Sequence, residues 1–224
     1  MKITSSILQF LLIIILNITS SNGQSSGDFQ THQTGDLNNV NTWERYDGSD
    51  WVNPAPSTPT SSDGVITILS GDTVTVTANV TVDQVVVNTG GILETQATLT
   101  IADGTGTDLV VNGLCHVNDG TLKTSNNSSV QVFGTMRVSG GSGSFTAGTN
   151  ALLSFEDESK LEWNRNSGNL YPANRTTWHS NSTLEIIGTT NSEPGNIASQ
   201  SFGNVTWNSP GQTGTANLNN NLLT

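Results

Sequence analysis

The chain has 224 residues, 23 of them Gly, only 11% charged, and a formal net charge of −11. That length is enough for one domain with a real core. The acidity argues against sequence-independent nucleic-acid binding, which needs clustered Lys and Arg, and against docking on anionic lipid. It favours solubility and leaves room for weak association with divalent cations. Thr, Ser, Asn, Gly and Val dominate, a composition suited to many short strands joined by polar turns.

Residues 1–23 read as an export signal. Lys2 supplies a positive start, Ile7 to Leu16 is an apolar run broken only by Gln9, and Ser21 and Gly23 are small residues ahead of a cleavage before Gln24. The run is shorter than the roughly 20 residues a membrane-spanning helix needs. Cleavage would remove Lys2 and leave six basic residues against 18 acidic ones. The mature chain is expected to be secreted or held on the outer cell surface, with no membrane span. The only cysteine, Cys115, cannot form an internal disulfide. A secreted domain of this kind must be held by its core and backbone pairing.

Residues 24–63 differ in character from the remainder of the mature chain and form the expected N-terminal cap region. They hold Trp43, Trp51 and the Pro-rich PAPSTP (Pro54, Pro56, Pro59). The stretch NTWERYDGSDWVNPAP predicts a hairpin about Asp47-Gly48 with aromatic residues on either side. The prolines cannot sit in a central strand, so this piece reads as an extended loop.

From residue 64 the strand signal is nearly continuous. Val74, Val76, Val80 and Val82 alternate with Thr73, Thr75, Thr77 and Thr81. Period-two alternation sends the valines inward and the threonines outward. Asp108 to Phe145 then contains one unit twice. Leu109, Val111, Gly113, Cys115 and Val117 return 21 residues later as Val130, Val132, Gly134, Met136 and Val138.

Units this short cannot close a core alone, so neighbours must stack. A leucine-rich repeat has a similar period but needs a Leu-Asn frame and a helical segment. An antiparallel sandwich is the main competitor, but here the order of strand, Gly, strand and turn keeps its direction. The expected fold is therefore all-β, a right-handed single-stranded parallel β-helix over residues 64–224. With strands ~4.8 Å apart, six or seven coils give a rod about 30 Å long. Aligning VVVNTGGILET with LVVNGLCHV, with Thr89 and Gly90 as an insertion, places Leu93, Cys115 and Met136 in one inward column. Glu94, His116 and Arg137 then share an outward column.

These residues resemble a known kind of protein. DFQTHQTGDLNNVNTWERYDGSDWVNPAP followed by DGVITILSGDTVTVTANVTVDQVVVNTGGILE is similar to the N-terminal module of secreted and surface β-helix proteins of Bacteroidota, often cargo of the type IX secretion route. Asp63, Val65, Ile68, Gly71, Val74, Val76, Gly91 and Leu93 stand at the positions of that frame. The outline is also similar to the eight-glycine domain. FGNVTWNSPG resembles a recurrent coil of the same adhesin-like proteins through Phe202, Asn204, Val205, Thr206 and Asn208. The resemblance implies an adhesin-type surface protein. It also implies more coils than this chain has, so the sequence reads as truncated at its C-terminus, with Leu218, Leu222 and Leu223 at an uncapped end.

Candidate chemistry is sparse. His32, His116 and His179 are far apart and show no metal-binding spacing. Cys115 and His116 are neighbours on a strand, point to opposite faces and cannot act as a nucleophile pair. Parallel β-helices also host polysaccharide lyases and hydrolases, which need clustered carboxylates or carboxylates with calcium and a base. The acidic candidates are Asp103 and Asp108 in ADGTGTD, Asp119 in NDG, and Glu156, Asp157 and Glu158 in FEDESK. Asp103 and Asp108 are the calcium candidates, although the loop has no established calcium motif. Trp163, Trp178 and Trp207 are open to two readings, as stacking platforms for sugar rings or as core and end-plugging residues. The expected function is that of an exported, non-enzymatic surface or extracellular-matrix protein, with a polysaccharide or protein as partner and no cofactor. The alternative is a carbohydrate-binding or polysaccharide-cleaving β-helix module.

Overall fold

Apolar residues two apart, repeated coil after coil, need an interior that every coil shares. The computed structural model, which describes residues 23–215, is built on that requirement. It is all-β, with parallel strands stacked as a β-solenoid of about six turns. Residues 1–22 of the expected signal segment and Leu218, Leu222 and Leu223 lie outside the described residues.

The solenoid starts earlier than residue 64. Strands β1 (Phe29–Thr31) and β2 (Gly35–Asp36) form a first short coil. A single 3-10 turn at Val40–Thr42 leads to the hairpin strands β3 (Trp43–Tyr46) and β4 (Trp51–Val52). Three complete coils come next: β5 (Ile66–Ile68), β6 (Thr73–Val76) and β7 (Val80–Val82); β8 (Val85–Val87), β9 (Ile92–Thr95) and β10 (Thr98–Ile101); β11 (Leu109–Val111), β12 (Leu114–Asn118) and β13 (Thr121–Thr124). The fourth is β14 (Ser129–Val132), β15 (Thr135–Ser139) and β16 (Ser144–Ala147). The last turns keep two strands or one: β17 (Leu152–Phe155) and β18 (Lys160–Asn164), β19 (Thr176–Trp178) and β20 (Thr183–Ile186), then β21 (Asn204–Trp207).

Three sheets make the walls. The first face runs β19-β17-β14-β11-β8-β5-β1-β3-β4, the second β2-β6-β9-β12-β15-β18-β20-β21, and the third β16-β13-β10-β7. All pairings are parallel except those of the hairpin, where β3 runs antiparallel to β1 and to β4. The hairpin is the one expected about Asp47-Gly48. The Asp47 carboxylate accepts from the Ser49 and Asp50 amides at 2.7 and 2.9 Å, which closes the turn. Those amides hold its carboxyl below the usual aspartate range. Trp43 is fully buried and meets Phe29 edge-on at 6.4 Å, so it plugs the first coil.

The columns follow the repeat. Leu93 pairs with Cys115 and Cys115 with Met136, all three buried, and the column continues to Leu161, Leu184 and Val205. A second inward column on the same face is Val76, Thr95, Val117, Val138, Trp163, Ile186 and Trp207. Thr95 is the one polar member of that column. Its Oγ1 is buried and has no hydrogen-bond partner. An unpaired buried hydroxyl costs about 1–3 kcal/mol. Thr95→Val should therefore raise the melting temperature by about 2–4 °C per kcal/mol recovered. A thermal melt that shows Thr95→Val below the native protein would refute this.

After β18 the third face loses its strand. The segment through Leu170 and Tyr171 folds inward instead, and both side chains are buried. Tyr171 Oη lies 2.7 Å from Thr124 Oγ1, and its ring meets Phe145 edge-on at 6.1 Å. Burial pushes the Tyr171 phenol upward.

Candidate functional site

The outward column of the second face carries the largest group of titratable side chains. Glu94, His116, Arg137, Glu162 and Glu185 stand on successive strands from β9 to β20. The sequence places His116 between an acid and a base, and the register agrees. The bonds are less symmetric. His116 Nδ1 is 3.2 Å from Glu94 Oε2, while His116 Nε2 is 2.6 Å from Ser139 Oγ. Arg137 turns the other way and donates from Nε to Glu162 at 2.5 Å. Lys160 donates to Glu185 at 2.8 Å, and that bond raises its ammonium above the usual value. Burial pushes Glu94 upward, but bonds from Gln96 and Asn118 and the neighbouring His116 outweigh it and hold the carboxyl below its ordinary value. Each of these groups is tied to a neighbouring coil.

The acidic turn is a different arrangement. Asp108 is buried, with Oδ1 accepting from the Gly104 amide at 2.9 Å and Oδ2 from the Ser129 amide at 2.6 Å. Asp103 is exposed. The sequence reading missed the third member, Asp83, which is 8% exposed. A Cβ at Gly104 would fall 1.8 Å from Asp83 Oδ2, so only glycine admits this approach. Asp83 precedes Gln84, a corner residue in the left-handed region with φ 51°, and no spacing in the chain signals that corner.

These residues do not fit calcium, which wants six to eight free oxygens. Backbone amides already occupy both Asp108 oxygens. Among the described residues, no three His, Cys, Asp or Glu side chains converge to hold a metal ion. Asp83 favours a proton instead. Burial raises the Asp83 carboxyl above its ordinary 3.8, and Asp108 beside it adds to the rise. With the folded value above the unfolded one, Asp83 contributes stability below about pH 4 that is lost as pH rises through its folded value. Asp83→Asn should therefore melt higher than the native protein at pH 7, with the advantage shrinking toward pH 4. An advantage that does not change with pH would sink the assignment.

For the three tryptophans left open between sugar platforms and core or end-plugging residues, the register favours the core reading, most plainly for Trp163. Trp163 is fully buried on an inward column. Trp207 pairs with Ile186 on that same column, and its Nε1 donates to Gln212 at 2.6 Å. Trp178 pairs with Phe155 on the first face and stacks on it at 4.1 Å with the planes 13° apart. Phe202 closes the other side of Trp178 at 4.8 Å. Trp163 is an interior residue, and Trp178 and Trp207 are partly buried and packed against the core, each an even number of positions from another residue of an inward column on its strand.

Cys115 is fully buried, and its thiol is pushed up to about 12 by burial. A bulky thiol reagent should leave the native protein unmodified for as long as it stays folded and label it promptly in denaturant. Rapid native labelling would mean that the column is wrong. His32 lies 2.9 Å from Asn53 and His179 3.1 Å from Asp157, each far from His116. Asp157 and Glu158 stand exposed in a turn with Glu158 at φ 60°, and Asp119 occupies a turn at φ 59°. They are corner residues, as Asp and its neighbours in such turns commonly are.

Another feature that sequence reasoning missed is a groove of about 570 Å³ on the outside of the first face, near the hairpin. Trp51, Gln30, Thr67, Val86 and Asn88 line it together with Asp28. Trp51 pairs with Tyr46 across the hairpin, and their rings are 5.4 Å apart. Among the described residues, no helix is long and apolar enough to cross a membrane. No family model, no curated protein and no solved structure matches the chain.

Proposed function

We propose that the protein is an exported, non-catalytic β-solenoid of surface or extracellular-matrix type, akin to the adhesin-like proteins of Bacteroidota that its sequence resembles. One observation carries this reading. The charged side chains of the outward column, and Asp108, are engaged in bonds that join one coil to the next. Glu94 with His116, Arg137 with Glu162, Lys160 with Glu185 and Asp108 with Ser129 all connect neighbouring coils. A general acid or base needs a free lone pair or proton within reach of a substrate. Side chains held this way supply axial stiffness.

The reading is tested by expressing the whole gene product in an exporting host. The product should accumulate outside the cell with Gln24 as its first residue. It should leave neutral polysaccharides and polyuronates uncleaved, with calcium present. Retention in the cytoplasm, or release of reducing or unsaturated ends, would overturn it.

A further inference from the structure

The groove beside the hairpin has the chemistry of a sugar site. Of the five tryptophans, Trp43 and Trp163 are fully buried and Trp178 and Trp207 lie on inward columns. Trp51 alone belongs to an outward surface. Its partner Tyr46 lies two residues along from Glu44, and Glu44 faces Gln30 on the outside of β1. Gln30 in turn faces Thr67 of β5, and Thr67 faces Val86 of β8. The wall from β4 to β8 therefore runs Trp51, Gln30, Thr67, Val86, across four strand steps or about 19 Å. That is the reach of a short oligosaccharide rather than a single sugar.

The polar groups are suited to hydroxyls. The Gln30 amide donates to Glu44, which fixes its plane and leaves its carbonyl oxygen with no partner among the described residues. Among the described residues, the Asn88 carboxamide and the Thr67 hydroxyl have no side-chain hydrogen-bond partner, and both line the groove. A carboxamide offers two donors and an acceptor, which matches the mixed donor and acceptor character of vicinal hydroxyls. An indole at the end gives a flat apolar face for the C–H side of a pyranose. Among the described residues no Lys, Arg or His side chain lines the groove, and its carboxylate, Asp28, is occupied by the Val65 and Ser25 amides at 2.9 and 2.7 Å. With a net charge of −11 around it, a polyuronate would be repelled.

We infer that this groove is a binding site for a neutral oligosaccharide, with Trp51 as the stacking platform and Gln30, Thr67 and Asn88 as the hydroxyl-reading groups. The inference rests on the reading of the protein as an exported, non-catalytic surface module. It adds a ligand class and a place.

The probes are cellotetraose, mannotetraose, xylotetraose and laminaritetraose, with tetragalacturonate as the charged control, titrated into the whole mature chain by calorimetry. At least one neutral tetrasaccharide should bind, and tetragalacturonate at least about tenfold more weakly. Trp51→Ala should weaken binding about tenfold, and Asn88→Ala less. In the unaltered protein, the bound sugar should protect Trp51 from oxidation by N-bromosuccinimide, mapped by peptide mass. This readout does not depend on any variant folding. Absence of binding by all four neutral probes, equal binding of tetragalacturonate, unchanged affinity in Trp51→Ala or unprotected Trp51 would each overturn the site. Cleavage of a probe would instead overturn the non-catalytic reading and leave the location of the groove standing.

Discussion

Gly113→Ala should lower the stability of the protein by about 3 kcal/mol, and its melting temperature by about 10 °C. Gly113 sits at the corner between β11 and β12. A Cβ there would lie 2.3 Å from the Gly91 carbonyl oxygen and 2.4 Å from that of Asn88. Both are backbone atoms of the preceding coil, so neither can rotate away. The next coil repeats the demand, since a Cβ at Gly134 would lie 2.3 Å from the Gly113 oxygen. Relief requires the coils to part, which breaks the parallel ladders on both faces. Gly211→Ala is the control, because nothing lies within 4 Å of a Cβ at that position. A Gly113→Ala protein melting within about 2 °C of the native one would show that the corner has slack.

Trp163→Ala should cost about 3–5 kcal/mol, as truncation of a fully buried aromatic does. The ring sits between Val138 and Ile186 on its column, with Phe145 at 6.5 Å and the Arg165 guanidinium 5.9 Å from its centroid. Trp163→Phe should cost much less, about 1–2 kcal/mol. The indole Nε1 is buried without a partner, so phenylalanine loses area but sheds an unsatisfied donor. The pair of variants separates the two roles once open for this residue. A surface sugar platform would show little change in stability with either substitution and a loss of binding with both. An interior residue shows a steep stability difference and no change in oligosaccharide affinity. Urea melts of the two variants decide it.

Much of the solenoid could be read from the chain because its interior repeats. The two copies about Cys115 and Met136 fix which residues face inward, and period two then assigns their neighbours. The inward column through Leu93, Cys115 and Met136 and the outward one through Glu94, His116 and Arg137 are both present as the spacing requires. The same parity reaches Trp163, two residues beyond Leu161, and Trp207, two beyond Val205. Taken one by one, away from their strands, these tryptophans stayed open to both readings. The groove was illegible for a different reason. Residues 30, 51, 67 and 88 meet only because the hairpin doubles back across the first coil, and no period links them. The start of the solenoid was hidden likewise, since β1 and β2 are short and separated from β5 by the whole hairpin. Asp83 was missed because its approach to Asp108 depends on a left-handed Gln84, a conformation with no signature in that residue type.

The hairpin also closes the N-terminal edge of the first face. An open parallel sheet offers its first strand as a template on which another chain can add in register. Here β1 is already occupied by β3, which runs the opposite way, and the outermost strand β4 is two residues long. Pro54 and Pro56 lie just beyond it and have no amide to donate. A second molecule meeting this end finds reversed polarity and a short, interrupted row of bonds. On the first face, in-register addition of another chain is therefore blocked from the N-terminal side.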